Sequence, residues 1–277
     1  MKVTVAMDNT VPISSKRPFL GEHGFSLLIE DGEKKILLDA GQSAAIVNNL
    51  SLLGVAPEDL SAAVVSHGHY DHVGGLYHVL QHARKIMPLY AHENMFKPRY
   101  SNAGGVRQYI GSPYMLDQLS ALGAEWQWVS SPVKIGEQLW LSGQVPRASE
   151  FEQGDVNLVI KCEGCDCQDE IADDMAIYFV TGEELVVIGG CTHSGLVNTV
   201  LHGFAVTGAT RLKGWIGGTH LGPVSKKQQN ETIDQLAEWN PDFVAANHCT
   251  GFPMMSALYQ KFGSRYISAF VGTVIEF

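Results

Sequence analysis

Four residues able to hold a metal ion fall within six positions of one another. They are His67, His69, Asp71 and His72, in the run Ser66-His67-Gly68-His69-Tyr70-Asp71-His72. Neutral imidazoles with one carboxylate suit a borderline divalent cation. The i, i+2 pair His67 and His69 can bind one ion, while Asp71 and His72 face the other way and can bind a second. Gly68 leaves room in the turn, and Gly74-Gly75 lets the backbone pass close to the ions. The plain alternative is a loop of solvated histidines, for which so dense a set of ligand types is costly. A structural zinc site would favour cysteines.

Such a run needs a strand to end before it and a helix to start after it. Ala62 to Val65 is a short apolar strand, and Val73 to His82 reads as the following helix. Upstream, Val3 to Met7, Phe25 to Glu30 and Lys35 to Asp39 read as strands, the last two joined at Asp31-Gly32. Ser43 to Leu53 reads as a helix stopped by Gly54. From His92 to about residue 130 the pattern becomes irregular, with a short helix near Tyr114 to Leu122 and strand-like alternation at Trp126 and Trp128. The second half alternates strand and helix. Met175 to Val180 and Glu184 to Ile188 form a hairpin, then come helix Gly195 to Val206, strand Lys213 to Ile216, helix Ser225 to Glu238 and strand Phe243 to Ala246. Tyr266 to Phe277 reads as strand-like. No linker or repeat divides the chain, so a single domain over 1–277, with an irregular insertion at about 92–130, is expected.

Of 277 residues, 45% are hydrophobic, enough for a sizeable core. A formal net charge of -10 argues against a nucleic-acid partner, because phosphate binding needs clustered Lys and Arg. No apolar run approaches the roughly 18 residues of a membrane span, and the N-terminal apolar stretch, interrupted by Asp8, is too short for a signal sequence. A cytoplasmic location and no membrane partner are expected. Five cysteines do not form a secreted disulfide pattern. Cys162-x-x-Cys165-x-Cys167 lacks a fourth metal ligand at a recognisable spacing, so free thiols in a surface loop are expected there.

The pattern H-x-H-x-D-H resembles the signature of the metallo-β-lactamase superfamily at every fixed position. Glu22-His23-Gly24-Phe25-Ser26, Leu38-Asp39-Ala40-Gly41, Gly190-Cys191-Thr192-His193-Ser194-Gly195, Gly217-Gly218-Thr219-His220-Leu221 and Asn247-His248-Cys249-Thr250-Gly251 follow in order. Together they resemble the subgroup typified by 7,8-dihydropterin-6-methyl-4-(β-D-ribofuranosyl)-aminobenzene-5'-phosphate synthase. The resemblance covers nearly the whole chain. It implies an α+β fold, a four-layer αββα sandwich, where composition alone supports only a mixture of helix and strand. It also implies two divalent metal ions, zinc by default, with manganese or iron as alternatives.

The family pattern assigns His193 as the third nitrogen ligand of the first metal and His248 to the second, each against a plain structural histidine. Many members bridge the metals with an aspartate where this chain has Cys191, which can bridge as a thiolate or merely pack. Asp173 or Asp174 could join instead, or form a solvated acidic turn. Asp39 is expected to support the metal-binding loops by hydrogen bonds. His220 is expected in substrate contact or proton transfer rather than as a further ligand. Glu22 and His23 could line the pocket. Asp71 and His220 are the expected catalytic residues.

The resemblance points to an enzyme acting on a small, anionic, phosphorylated substrate. The subgroup's named reaction condenses a pterin diphosphate with an aminobenzene riboside phosphate, displacing pyrophosphate. Lys97, Arg99 and Arg107 could hold the anion. A phosphodiesterase or thioesterase is the hydrolytic alternative, and a metal-binding sensor without turnover is the alternative of another class.

Overall fold

The computed structural model describes residues 1–277. The chain forms two compact units, one of Met1–Trp128, Leu158–Cys167 and Phe270–Phe277, the other of Val129–Asn157 and Gln168–Ala269. No helix is long and apolar enough to cross a membrane.

The first unit is built on a seven-stranded sheet. Its order is Val274–Glu276, Lys2–Met7, Ser26–Asp31, Lys34–Leu38, Ala62–Val64, Met87–Ala91 and Ala124–Trp128. Pairing is antiparallel up to Lys34–Leu38 and parallel beyond it. Helices Ala45–Leu52 and Leu76–Ala83 bury one apolar stripe each. Ile46 and Leu50 from one, and Leu76, Val79 and Leu80 from the other, pack with Leu37, Ala63 and Leu89 of the sheet. Asp39, the histidine run and His92 all lie just past the C-terminal ends of parallel strands, the usual place for a site in such a sheet.

The helix expected over Val73 to His82 is two helices, Tyr70–Val73 and Leu76–Ala83. At the break the Gly75 N–H donates to the Gly41 carbonyl at 3.0 Å rather than within the helix, and the close approach needs glycine, since a Cβ on Gly75 would stand 1.9 Å from the Ala40 carbonyl oxygen. Within the irregular stretch, Trp126 and Trp128 sit on a strand that extends the main sheet. Only Val274–Glu276 of the C-terminal stretch is a strand. A small sheet pairs Asp166–Gln168, Leu158–Lys161, Arg99–Ser101 and Gln108–Tyr109. The expectation of free thiols is corrected here. The hairpin brings Cys162 and Cys167 together as a disulfide, and only Cys165 of the three remains a free, exposed thiol.

The second unit has a six-stranded sheet in the order Phe243–Asn247, Arg211–Gly218, Glu184–Gly189, Ala176–Thr181, Leu139–Leu141 and Val133–Lys134. The first three are mutually parallel. Helices Leu196–Thr207, Lys226–Trp239 and Phe252–Phe262 connect or follow them, and the last was not anticipated from the sequence. Leu196, Val200, Leu236 and Leu258 pack with Tyr178, Val187, Trp215 and Val244. Each parallel strand ends at a loop bearing Cys191 and His193, His220, or His248 and Cys249.

Candidate metal centre

In the first unit the histidines hang on one buried carboxylate. Asp39 follows the Lys34–Leu38 strand in a left-handed conformation, φ 57°. Its Oδ1 accepts the Ser66 backbone N–H at 2.7 Å, and its Oδ2 accepts Ser66 Oγ at 2.6 Å. His72 Nδ1 lies 2.7 Å from the same Oδ2. With its proton given to Asp39, the Ser66 hydroxyl oxygen accepts from His67 Nδ1 at 2.9 Å. These bonds fix the tautomers: both His67 and His72 carry hydrogen on Nδ1 and a lone pair on Nε2.

His67 Nε2 lies 3.0 Å from His69 Nδ1. Asp71 Oδ2 is 3.7 Å from His72 Nε2 and 3.7 Å from His23 Nε2. His67, His69, Asp71 and His72 are all buried. Gly68 is needed for close approach, since a Cβ there would meet the Met95 carbonyl oxygen at 1.9 Å.

Other expected contributors fall in different places. Glu22 accepts from the backbone N–H groups of Gln42 and Ser43 and from Ser43 Oγ, at 2.9, 3.1 and 2.5 Å, so its carboxylate fastens the entry to the Ala45–Leu52 helix. His23 is exposed, with Nδ1 3.0 Å from the Tyr70 hydroxyl. Arg99 is buried and Arg107 is paired with Asp166 at 3.0 Å and laid over the Tyr100 ring, which leaves Lys97 as the exposed, uncommitted cation of the three.

The second unit holds its own donor set. Ligand atoms of Cys191, His193 and His220 lie within 4.8 Å of one another, as do those of Cys191, His248 and Cys249. The His193 and His220 rings stand 4.2 Å apart. The His220 backbone N–H donates to Cys249 Sγ at 3.3 Å, and Cys249 Sγ donates to the Cys191 carbonyl at 3.6 Å. Thr192, His220 and His248 have positive φ of 60°, 46° and 52°. Backbone strain on non-glycine residues gathers where the surroundings hold a functional loop in place.

The electrostatics of this set are strongly perturbed. Burial disfavours the charged His220 ring, yet Asp155 and Cys249 outweigh it and raise its pKa to about 9. Burial alone would raise the Cys249 thiol, but the Cys191 contact and the neighbouring histidines push it well below the ordinary value. Burial raises Asp174 to about 6, against the Ser194 hydrogen bonds and the Arg147 charge. Asp173 and Asp174 are both buried, so the expected solvated acidic turn is corrected. Asp174 Oδ2 accepts the Ser194 N–H at 2.8 Å and thereby supports the turn that carries His193.

Sequence reading missed Ser66, Asp155 and Cys249. Ser66 and Cys249 each adjoin a singled-out histidine, which was a usable signal. Asp155, with Oδ2 3.7 Å from His220 Nε2, had none. The donors fit a borderline cation. Two tautomers present Nε2 lone pairs, and the buried ring nitrogens of His220 have no hydrogen-bond partner.

Residues 20–203 match the sequence profile of the metallo-beta-lactamase superfamily. The uncharacterized protein MJ0448 of Methanocaldococcus jannaschii is 31% identical over 99% of this chain and 99% of its own. The 7,8-dihydropterin-6-methyl-4-(beta-D-ribofuranosyl)-aminobenzene-5'-phosphate synthase of the same organism is 28% identical over 94% of this chain and 92% of its own. The crystal structure of Tm1679, a metal-dependent hydrolase of the beta-lactamase superfamily, aligns with a TM-score of 0.82 at 26% identity, covering 100% of this chain and 99% of that one.

Proposed function

The chain belongs to the metallo-β-lactamase superfamily and has its α+β fold, and from that premise we propose that it is a metal-dependent, dihydropterin synthase-like enzyme acting on a small phosphorylated substrate. The ligands are His67, His69, Asp71, His72, His193 and His248, with Cys191 as a bridging thiolate. The observation that carries this reading is the Asp39–Ser66–His67 and Asp39–His72 hydrogen bonding, which leaves both Nε2 atoms ready to bind a cation. When bound, two divalent ions, zinc by default, would supply Lewis acidity toward the departing diphosphate oxygens and, in the hydrolytic alternative, a hydroxide at neutral pH.

The protein's own groups do the rest. Asp39 keeps both imidazoles in one tautomer through the reaction. His220 holds a proton at Nε2, oriented by Asp155 3.7 Å away, and returns it to the leaving oxygen, the metal-bound Asp71 being the alternative donor. His23 contributes at the substrate end. The likeness to the synthase over most of both chains supports a small phosphorylated substrate. In a condensation of that kind the amine nitrogen would bond to the carbon bearing the diphosphate as the C–O bond breaks, the pyrophosphate leaving intact and the amine proton passing to a base.

Elemental analysis of the purified chain, with pyrophosphate release measured on a pterin diphosphate plus an aminobenzene riboside phosphate, tests this. Two ions per chain and released pyrophosphate are expected. Hydrolysis of chromogenic phosphodiesters or acyl-thioesters without pyrophosphate release would replace the synthase reading with the hydrolase one. Full activity of His67→Ala without metal would end both.

A further inference from the structure

Arg147 belongs to none of the motifs, yet its guanidinium donates to four main-chain carbonyls. Nη1 reaches Glu152 O at 3.2 Å and Ser194 O at 3.4 Å, and Nη2 reaches Glu170 O at 3.2 Å and His193 O at 2.9 Å. Two of those carbonyls belong to the turn that carries His193.

That turn needs external support. It passes through Thr192 at φ 60° and Gly195 at φ 104°, and it closes with Gly195 N–H donating to Thr192 O at 3.0 Å. A β-branched residue keeps such a conformation only when its surroundings impose it. Carboxylates hold the N–H side. Asp174 takes the Ser194 N–H, and Glu152 takes those of Val197 and Asn198 at 2.9 and 2.7 Å. Arg147 works from the carbonyl side of the same turn, and it ties the 147–152 segment and Glu170 to it.

We propose that Arg147 is a positioning residue for His193, fixing where the imidazole stands by clamping the carbonyl of its own residue; this rests on the reading of His193 as a metal ligand. A planar fork of five N–H donors can serve several carbonyls at once, which an ammonium on a flexible stem cannot reproduce. Arg147 is exposed on its other side. Water can therefore take over the carbonyls when it is removed, so the fold survives while the turn loses its definition.

The test titrates cobalt(II) into metal-free protein and follows affinity by chelator competition and geometry by the visible absorption of the bound ion. Arg147→Gln is expected to weaken the His193-dependent ion about 10-fold, in the range for residues that orient ligands, and to alter its absorption bands. Arg147→Lys should fall between Arg147→Gln and the native protein, and it carries the test if Arg147→Gln does not fold. The unfolding temperature of the metal-free variants should stay near that of the native chain. Native cobalt affinity and spectrum in Arg147→Gln would overturn the proposal, as would equal losses in the Lys and Gln variants that track a fallen unfolding temperature. His193→Ala separates the two levels. If it binds both ions as the native protein does, the ligand reading fails whatever the Arg147 variants show. If it loses one ion while Arg147→Gln binds normally, only the role of Arg147 fails.

Discussion

The first unit assembles its donors from one stretch of seven residues hung on Asp39, whereas the second draws them from three strand ends, at 190–195, 217–221 and 247–251. In the first, the support is a carboxylate with no exposure to solvent, bonded to Ser66 and His72. In the second, the supports are many side chain–backbone bonds around strained residues: Arg147 and Asp174 at the His193 turn, Thr250 at the His220 turn. Donors close in sequence can share one anchor. Donors far apart in sequence each need their own. The first design couples the histidines to the stability of the fold, and the second couples them to the definition of individual loops.

Asp39→Ala should expose this coupling most. The substitution leaves three buried donors without their acceptor, at about 1–3 kcal/mol each, so urea unfolding of the metal-free protein should register a loss of about 3–5 kcal/mol. Next comes Gly68→Ala, whose Cβ would meet the Met95 backbone, its carbonyl oxygen at 1.9 Å. Overpacking against backbone costs about 3 kcal/mol, read in the same experiment. In the second unit, Thr250→Val removes the acceptor for Thr219 N–H and its bonding partner in Thr219 Oγ1, at 3.2 and 3.0 Å. About 1–2 kcal/mol should go, with metal content falling out of proportion to stability. If Thr250→Val destabilised as much as Asp39→Ala, the contrast between the units would not stand.

The smallest effect is a pH dependence. Burial raises the pKa of Glu152, against the hydrogen bonds from Val197 and Asn198. The sign follows from the raised value: its favourable contribution is complete below the unfolded carboxylate pKa and is lost as pH climbs through the folded one. Stability of Glu152→Gln relative to the native chain should therefore increase with pH across that window and flatten above it. A flat difference from pH 4 to 7 would mean that burial does not dominate at the start of the Leu196–Thr207 helix.

Much of the fold was legible because its signals are local. Apolar runs bounded by Asp-Gly or Thr-Gly mark hairpins, and the stripe Leu76, Val79, Leu80, Ala83 marks a helix without reference to anything distant. The density of ligand types at His67 to His72 needed no structure to stand out. The break at Gly74-Gly75 was not legible, because the Gly75 N–H turns to the Gly41 carbonyl, which approaches from another strand end. Nor was the burial of Arg99, Asp173 and Asp174, since charged residues in irregular stretches read as solvated until their neighbours are known.

By itself, then, the order of residues determined the elements, the identity of the donor groups and the superfamily, since periodicity and short-range spacing survive in one dimension. Tertiary structure alone decided which carboxylate orients which imidazole, that Glu22 serves the backbone of Gln42 and Ser43, and that Asp155 and Arg147 attend His220 and His193. Hydrogen bonds and charge interactions act over a few ångströms of space, and residues 46 or 65 positions apart along the chain become neighbours only when folded.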